Sequence, residues 1–88
     1  MKHVLMYSKP TCPYCQRAIK LLESKGIYFE VINLLQTPEK RQEMIEKSGG
    51  KYTVPQIFID EKHIGGCDDL YQLDEEGILD QLLNINNQ

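Results

Sequence analysis

The sequence predicts an α/β protein, in which a four-stranded mixed sheet is flanked on both faces by about three to four helices. Its 88 residues suffice for one domain, residues 1–88, with a modest core. Apolar runs of strand length alternate with helical patterns in the order βαβ, α, ββ, α. The opening strand–helix–strand unit predicts parallel strands with a right-handed crossover, and two later short strands predict an antiparallel hairpin.

The strand–helix–strand unit is predicted from three neighbouring segments. Residues 3–8 form a short apolar run that stops before Pro10, which is typical of a buried strand. A helical pattern follows and ends at Gly26, and residues 28–34 are rich in the aromatic and β-branched side chains of a second strand. The helix is expected to bury the apolar residues that recur at helical spacing, namely Cys15, Ala18, Ile19 and Leu22.

A second helix is predicted to begin at Thr37-Pro38-Glu39. These residues supply a capping hydroxyl, a proline at the first helical position and a carboxylate in the first turn. The helix is expected to run to about Lys47, because the Ser-Gly-Gly sequence at residues 48–50 ends the pattern.

The hairpin and the last helical region complete the predicted fold. Residues 56–60 and 62–64 read as two strands joined by a short turn, so we expect them to pair in antiparallel fashion. The last helical region is expected to be capped by Cys67 or Asp68 and to break at Gly77. Its inward-facing residues are predicted to be Leu70, Leu73, Ile78, Leu79, Leu82 and Leu83.

Two thiols three residues apart, Cys12 and Cys15, lie between the first strand and the first helix. Residues i and i+3 of a first helical turn share a face, so the pair can close a reversible disulfide with little backbone movement. Because Pro13 fits the first helical position, Cys12 falls at the N-cap, where unpaired amides, the helix dipole and nearby Lys9 favour a thiolate. Cys12 is the predicted nucleophile, and Cys15, one turn further in, is the predicted resolving thiol.

The cysteine pair also allows two other interpretations, a zinc site and a structural disulfide. Zinc would need a second ligand pair, but the rest of the chain offers only Cys67, His3 and His63, without a second Cys-x-x-Cys motif. A disulfide across three residues closes too small a loop to stabilise a fold much. The strand–turn–helix context therefore favours redox chemistry, and the two histidines are interpreted as structural.

Composition and charge exclude several classes of function. The net charge of -3 and pI near 5.3 come without a run of Lys or Arg, which argues against nucleic-acid binding. The apolar run near the N-terminus is far too short for a signal peptide or a membrane span, so we expect a soluble cytoplasmic protein without membrane association. An odd cysteine count of 3 also suits a reducing compartment.

Three motifs in order, Cys12-Pro13-Tyr14-Cys15, Thr53-Val54-Pro55 and Gly65-Gly66-Cys67-Asp68-Asp69, carry a family resemblance. With them the chain closely resembles the bacterial dithiol glutaredoxins of the thioredoxin superfamily. The match covers essentially the whole chain and implies a thioredoxin-like fold made of a single glutaredoxin domain. It also implies that the peptide bond before Pro55 is cis, although cis is the minority state for an X-Pro bond.

The resemblance implies a site for glutathione, the reducing co-substrate, with no bound cofactor and no metal. Lys9 and Gln42 match the positions that hold the glycine carboxylate, with Arg41 as an alternative to Gln42. The backbone of Val54 matches the position that pairs with the cysteinyl part of the tripeptide. The other implied contacts are the γ-glutamyl site, formed by Gly66, Cys67 and Asp68, and the groove-lining residues Tyr14, Thr53 and Pro55.

The predicted function is that of a glutathione-dependent thiol-disulfide oxidoreductase, a monomer that reduces protein disulfides and glutathione mixed disulfides. One alternative is a thioredoxin-like electron donor reduced by a flavoprotein reductase, but thioredoxins usually carry Trp-Cys-Gly-Pro-Cys and this chain has no Trp. Another alternative is a dimeric iron–sulfur cluster carrier. Pro13 argues against it, because this proline should stiffen the turn that would have to hold the cluster. Residues 49–52 form a slightly longer loop than is common in close relatives, which leaves the preference among protein substrates open.

Overall fold

The protein is described here by a computed structural model that covers residues 3–85. Its elements are β1 (Val4–Ser8), α1 (Pro13–Ser24), β2 (Glu30–Asn33), α2 (Lys40–Lys47), β3 (Gln56–Ile59), β4 (Lys62–Gly65), α3 (Cys67–Glu75) and α4 (Ile78–Leu83). The predicted order of elements is confirmed. Gly77, with φ of 75°, divides the last helical region into α3 and α4.

The four strands form one mixed sheet in the order β2-β1-β3-β4. The strands β1 and β2 are parallel, with Leu5 opposite Glu30, whereas β3 pairs in antiparallel fashion with both β1 and β4. Asp60 and Glu61, between β3 and β4, have φ of 50° and 68°, as a two-residue type I′ hairpin turn requires. The predicted four-stranded mixed sheet is therefore confirmed.

The pairing of β1 with β3 brings two loops to one edge of the sheet. Tyr7, near the end of β1, lies opposite Gln56, the first residue of β3. Residues 9–12, which follow β1, and residues 53–55, which precede β3, therefore meet at this edge. The cysteine motif and the Thr-Val-Pro motif come together although they are distant in sequence.

Helices cover both faces of the sheet. Successive residues of β1 point to opposite faces, so all of them are buried. On one face Val4 and Met6 pack with α1, α3 and α4, and on the other Leu5 and Tyr7 pack with α2. The buried helical residues of the first face are Ala18, Leu21, Leu22, Cys67, Leu70, Leu79 and Leu83, and that of the second is Met44.

The first helix begins and ends as predicted. Cys12 is its N-cap in an extended conformation, and proline occupies the first helical position. At the other end, Gly26 has φ of 69°, a left-handed conformation that ends helices. The ammonium group of Lys25 lies 2.5 Å from the carboxylate of Asp74 and 2.8 Å from that of Asp80, which attaches this end of α1 to α3 and α4.

Some predicted boundaries were wrong. The second helix begins at Lys40 rather than at Thr37, because the Thr37 hydroxyl donates to the carbonyl of Asn33 (3.0 Å) instead of capping a helix. The backbone of residues 37–41 forms hydrogen bonds with three-residue spacing, which is a tighter turn than an α-helix. The first two strands are also shorter than predicted, since β1 starts at Val4 and β2 spans only residues 30–33.

The cap of α3 and one inward residue of α4 were also predicted incorrectly. The N-cap is Gly66 rather than Cys67 or Asp68, and the carboxylate of Asp69 accepts a hydrogen bond from the Gly66 amide (2.9 Å). Ile78, the first residue of α4 after the left-handed Gly77, is 37% exposed and not buried as predicted.

Candidate active site

The thiol of Cys12 lies at the N-terminus of α1 and is partly exposed. Its sulfur accepts a hydrogen bond from the amide of Cys15 (3.3 Å). It also lies 3.8 Å from the carbonyl oxygen of Val54, to which the protonated thiol donates. A thiolate at Cys12 keeps the amide donor and the positive end of the helix dipole, so this position favours a nucleophilic sulfur.

The second thiol of the motif, Cys15, is in a different environment. Its side chain is 0% exposed and packs inside the fold, one turn along α1. Burial is the main cause that raises the pKa of Cys15, while a hydrogen bond with Ser8 acts in the opposite direction. Cys15 is therefore held as a neutral thiol beside Cys12, and the two cysteines differ in their access to solvent.

The Thr-Val-Pro segment forms the wall opposite the cysteines. The Val54–Pro55 peptide bond is cis, as the resemblance implied, and Pro55 is buried. The buried side chain of Gln56 donates to the carbonyl oxygen of Thr53 (3.0 Å) and to its hydroxyl (3.3 Å). The segment thus presents the Val54 carbonyl to Cys12, and the hydrogen bonds from Gln56 hold its backbone at Thr53.

A groove of about 470 Å³ runs beside this segment. It is lined by seven residues that the sequence assigned to the site, namely Tyr14, Thr53, Val54, Pro55, Gly66, Cys67 and Asp68. Six further residues line it that the sequence did not assign, namely Lys51, Gln56, His63, Ile64, Gly65 and Asp69. Gln56 follows the Thr-Val-Pro motif directly, and Gly65 and Asp69 are the ends of the last motif. The hairpin pairing of β3 with β4 adds His63 and Ile64. Adjacency and pairing were the available signals.

The first turn of α3 forms one end of the groove. Amides of a first helical turn have no intrahelical partner, so they are suitable donors to an anionic ligand. Gly65 has φ of 123°, and a Cβ there would lie 2.2 Å from a carboxylate oxygen of Asp69. Only glycine therefore allows Asp69 to reach back to the Gly66 amide. Cys67 is 5% exposed, and burial raises the pKa of its thiol.

Lys9 and Gln42 do not line this groove. The carbonyl of Lys9 accepts a hydrogen bond from the Cys12 amide (3.2 Å), and Gln42 donates to Glu46 on its own helix (3.3 Å). Arg41 instead donates to the carbonyl of Tyr52 (3.2 Å), in the loop that leads into the Thr-Val-Pro segment. The assignment of these side chains to a carboxylate therefore stays a prediction.

Within residues 3–85, no cluster of three or more His, Cys, Asp or Glu side chains is arranged to hold a metal ion. Over the same residues, each helix is too short or too polar to cross a membrane.

Comparisons with known proteins agree with this geometry. The family model described as glutaredoxin matches residues 4–64. Glutaredoxin 3 of Escherichia coli strain K12 is 58% identical over 83 residues, which cover 94% of this chain and 99% of that protein. The solution structure of a glutaredoxin from Brucella melitensis is 52% identical, with a TM-score of 0.79 over 98% of this chain and 92% of that one.

A structure with a bound ligand is also similar. The crystal structure of a buckwheat glutaredoxin–glutathione complex is 33% identical, with a TM-score of 0.84 over 92% of this chain and 76% of that one. The family match, the identity to curated relatives and the pair of cysteines at the helix start support one conclusion. The chain belongs to the glutaredoxin family and is a glutathione-dependent dithiol oxidoreductase.

Proposed function

We propose that Cys12 is the attacking thiol and Cys15 the resolving thiol in the reduction of protein disulfides and protein–glutathione mixed disulfides. The thiolate of Cys12 attacks one sulfur of the substrate disulfide, forms a mixed disulfide and releases the other sulfur as a thiolate, which takes up a proton. Cys15 then loses its proton and attacks Cys12, which closes the Cys12–Cys15 disulfide and releases the second substrate thiol. Two glutathione molecules afterwards restore the dithiol and leave as glutathione disulfide.

A glutathione mixed disulfide needs only one of the two cysteines. Cys12 attacks the glutathione sulfur of the substrate, so the protein thiol leaves and glutathione stays attached to Cys12. A second glutathione thiolate then attacks the glutathione sulfur of this intermediate, forms glutathione disulfide and regenerates the Cys12 thiolate. The observation that carries both assignments is the contrast between a partly exposed Cys12 at the helix start and a fully buried Cys15.

We propose that glutathione occupies the groove beside the cis-proline segment. The backbone of Val54 would pair with the cysteinyl part, as an added strand does. The first-turn amides at Gly66 and Cys67 would receive the γ-glutamyl carboxylate, and Asp68 its amino group. Tyr14, Thr53 and Pro55 would line the groove. The complex of buckwheat glutaredoxin with glutathione, a chain of similar fold, supports glutathione as the ligand.

The glycine carboxylate of glutathione is assigned to cationic and amide side chains. Lys9 follows β1 directly, and Gln42 and Arg41 lie on α2. Of the α2 residues, Arg41 already contacts the loop before the Thr-Val-Pro segment, which supports a part for it beside or instead of Gln42. Single alanine variants at these three positions would separate them, because removal of a side chain that binds the carboxylate raises the KM for a glutathionylated substrate.

Both thiols and the proposed groove belong to one chain, so the proposed reaction needs only a monomer. An odd count of 3 cysteines fits a reducing compartment, and the proposed location is the cytoplasm.

The test is a coupled assay with glutathione, glutathione reductase and NADPH on a small glutathione mixed disulfide and on a disulfide-bonded protein. Cys12→Ser is expected to abolish turnover of both substrates. Cys15→Ser is expected to keep turnover of the mixed disulfide and to lose most turnover of the protein disulfide. Equal loss of mixed-disulfide turnover in both variants would contradict the assignment. Turnover with thioredoxin reductase but not with glutathione would favour a thioredoxin-like donor instead.

A further inference from the structure

The side chain of Gln56 joins a groove histidine to the cis-proline segment. Its carboxamide is buried, at 4% exposure. Its oxygen lies 2.7 Å from Nε2 of His63, and its nitrogen donates to the Thr53 carbonyl (3.0 Å) and hydroxyl (3.3 Å). Gln56 thus connects β4 to the segment whose Val54 carbonyl faces Cys12.

The two ends of this carboxamide determine each other's roles. The Thr53 carbonyl only accepts hydrogen bonds, so the nitrogen of Gln56 must face it. The oxygen of Gln56 then faces His63 and also only accepts. His63 must therefore donate through Nε2, so the neutral imidazole carries its proton on that nitrogen.

Packing fixes the ring of His63 where it can make this bond. His63 lies opposite Phe58 in the β3–β4 ladder, with ring centroids 5.0 Å apart. Phe58 in turn contacts the buried ring of Tyr7 edge to face, with centroids 5.8 Å apart. The imidazole is thus held by a strand of the sheet and not by a loop.

The charges around His63 are mixed, and its burial decides its protonation state. Burial lowers the pKa of His63, and the charge of Lys51, in the preceding loop, acts in the same direction. The carboxylate of Asp69, on α3, acts in the opposite direction. At neutral pH the ring is therefore neutral, and its single proton lies on Nε2, where it is donated to Gln56.

We propose that His63 and Gln56 are positioning residues for the reaction, which hold the Thr53–Val54–Pro55 segment at its distance from Cys12. Neither residue is required to touch the reacting sulfurs. His63 orients the Gln56 carboxamide, Gln56 fixes the Thr53 carbonyl, and the fixed segment presents the Val54 backbone to the substrate. This inference rests on the proposed binding of glutathione along Val54.

Two variants test different links of this chain of contacts. His63→Phe keeps an aromatic ring against Phe58 but removes the donor to Gln56. Gln56→Glu keeps an oxygen for His63 but removes the donor to Thr53 and puts a second oxygen against the Thr53 carbonyl. Each is expected to raise the KM for a glutathione mixed disulfide about three- to tenfold, as for a lost buried hydrogen bond, with the larger effect in Gln56→Glu. The kcat should change less than the KM, because Cys12 and Cys15 are untouched.

The matched control is His3→Phe, because the imidazole of His3 is exposed beyond the opposite end of β1, where its Nε2 lies 2.9 Å from the Glu30 carboxylate. This control should leave KM and kcat unchanged. Heteronuclear NMR of the wild-type protein provides an independent readout that needs no variant. The ring nitrogens of His63 should show the Nε2-protonated neutral tautomer.

A wild-type protein that turns over with glutathione while both variants retain its KM would overturn the inference and leave the proposed function intact. A wild-type His63 protonated on Nδ1 instead of Nε2 would also overturn the inference. Absence of wild-type turnover with glutathione would overturn the proposed function and the inference with it.

Discussion

The contrast between Cys12 and Cys15 predicts which thiol of the reduced protein reacts first with iodoacetamide. Cys12 is partly exposed at the helix start, with the amide of Cys15 directed at its sulfur. Cys15 is 0% exposed, and burial raises its pKa. Because the thiolate is the reactive form, alkylation at pH 7 should modify Cys12 and leave Cys15 as the free thiol.

The magnitude follows from the thiolate fraction. An ordinary thiol with a pKa of ~8.5 is only about 3% thiolate at pH 7. Cys15 must lie below that fraction because its pKa is raised, and its sulfur is also shielded from the reagent. We expect Cys15 to react at least about tenfold more slowly than Cys12, because its thiolate is scarce and the reagent does not reach its buried sulfur.

The assay is timed alkylation of the reduced protein at several pH values, followed by peptide mass spectrometry. The variant Cys12→Ser keeps only Cys15 and the buried Cys67, which peptide mass spectrometry distinguishes, and the alkylation of Cys15 should become appreciable only at alkaline pH. The matched variant Cys15→Ser should be alkylated at neutral pH at a rate close to that of Cys12 in the wild type. Alkylation of Cys15 at the rate of Cys12 in the wild-type protein would refute the assignment of the nucleophile.

Three further predictions concern the groove and the stability of the fold. Cys67→Ser should keep turnover within a few-fold of the wild type in the coupled assay, because Cys67 is 5% exposed and the proposed glutathione site uses only its backbone. A collapse of turnover would make Cys67 a third redox thiol. Lys25→Met should lower the free energy of unfolding by about 1 kcal/mol, because Lys25, whose side chain is 17% exposed, loses its ion pairs with Asp74 and a second carboxylate. The ion pairs raise the pKa of Lys25 in the folded state, so this difference should be fully present below about pH 10 and be lost as the pH rises through the folded value. Urea unfolding of both proteins at pH 7 and at a series of alkaline pH values would check it. Tyr7→Phe should lower the Tm by about 5 °C, because the buried hydroxyl no longer donates to the Glu43 carboxylate. That hydrogen bond lowers the pKa of Glu43, so its contribution to stability is present above about pH 4.5 and is lost as the pH falls further. A Tm difference between the two proteins that stayed constant from pH 7 to pH 3 would contradict this explanation.

The sequence by itself determined the features that depend on local chemistry. Proline after Cys12 fixes the start of α1, and Gly26 fixes its end, so the positions of both reactive cysteines followed from nearest neighbours in the chain. Periodicity located each strand and helix, and the order of elements gave the mixed sheet. The three motifs together identified the family without any knowledge of contacts.

Local propensity failed where a neighbouring residue offers a competing hydrogen bond. Thr37 has the sequence of a helix cap, but its hydroxyl donates to the carbonyl at the end of β2. Asp68 was a reasonable cap for α3, yet the geometry at Gly65 lets Asp69 reach the Gly66 amide instead. In both cases the residue with suitable propensity does not cap the helix, because the capping geometry depends on backbone positions that propensity does not describe.

Only the tertiary structure decided how the groove is built. The histidine at position 63 looked structural in the sequence because nothing near it in the chain pairs it with a thiol. The pairing of β3 with β4 places it on Phe58 and within 2.7 Å of Gln56, whose other end holds Thr53. Such a connection depends on strand register, and register is fixed by the packing of the whole sheet against its helices and not by the residues that it brings together.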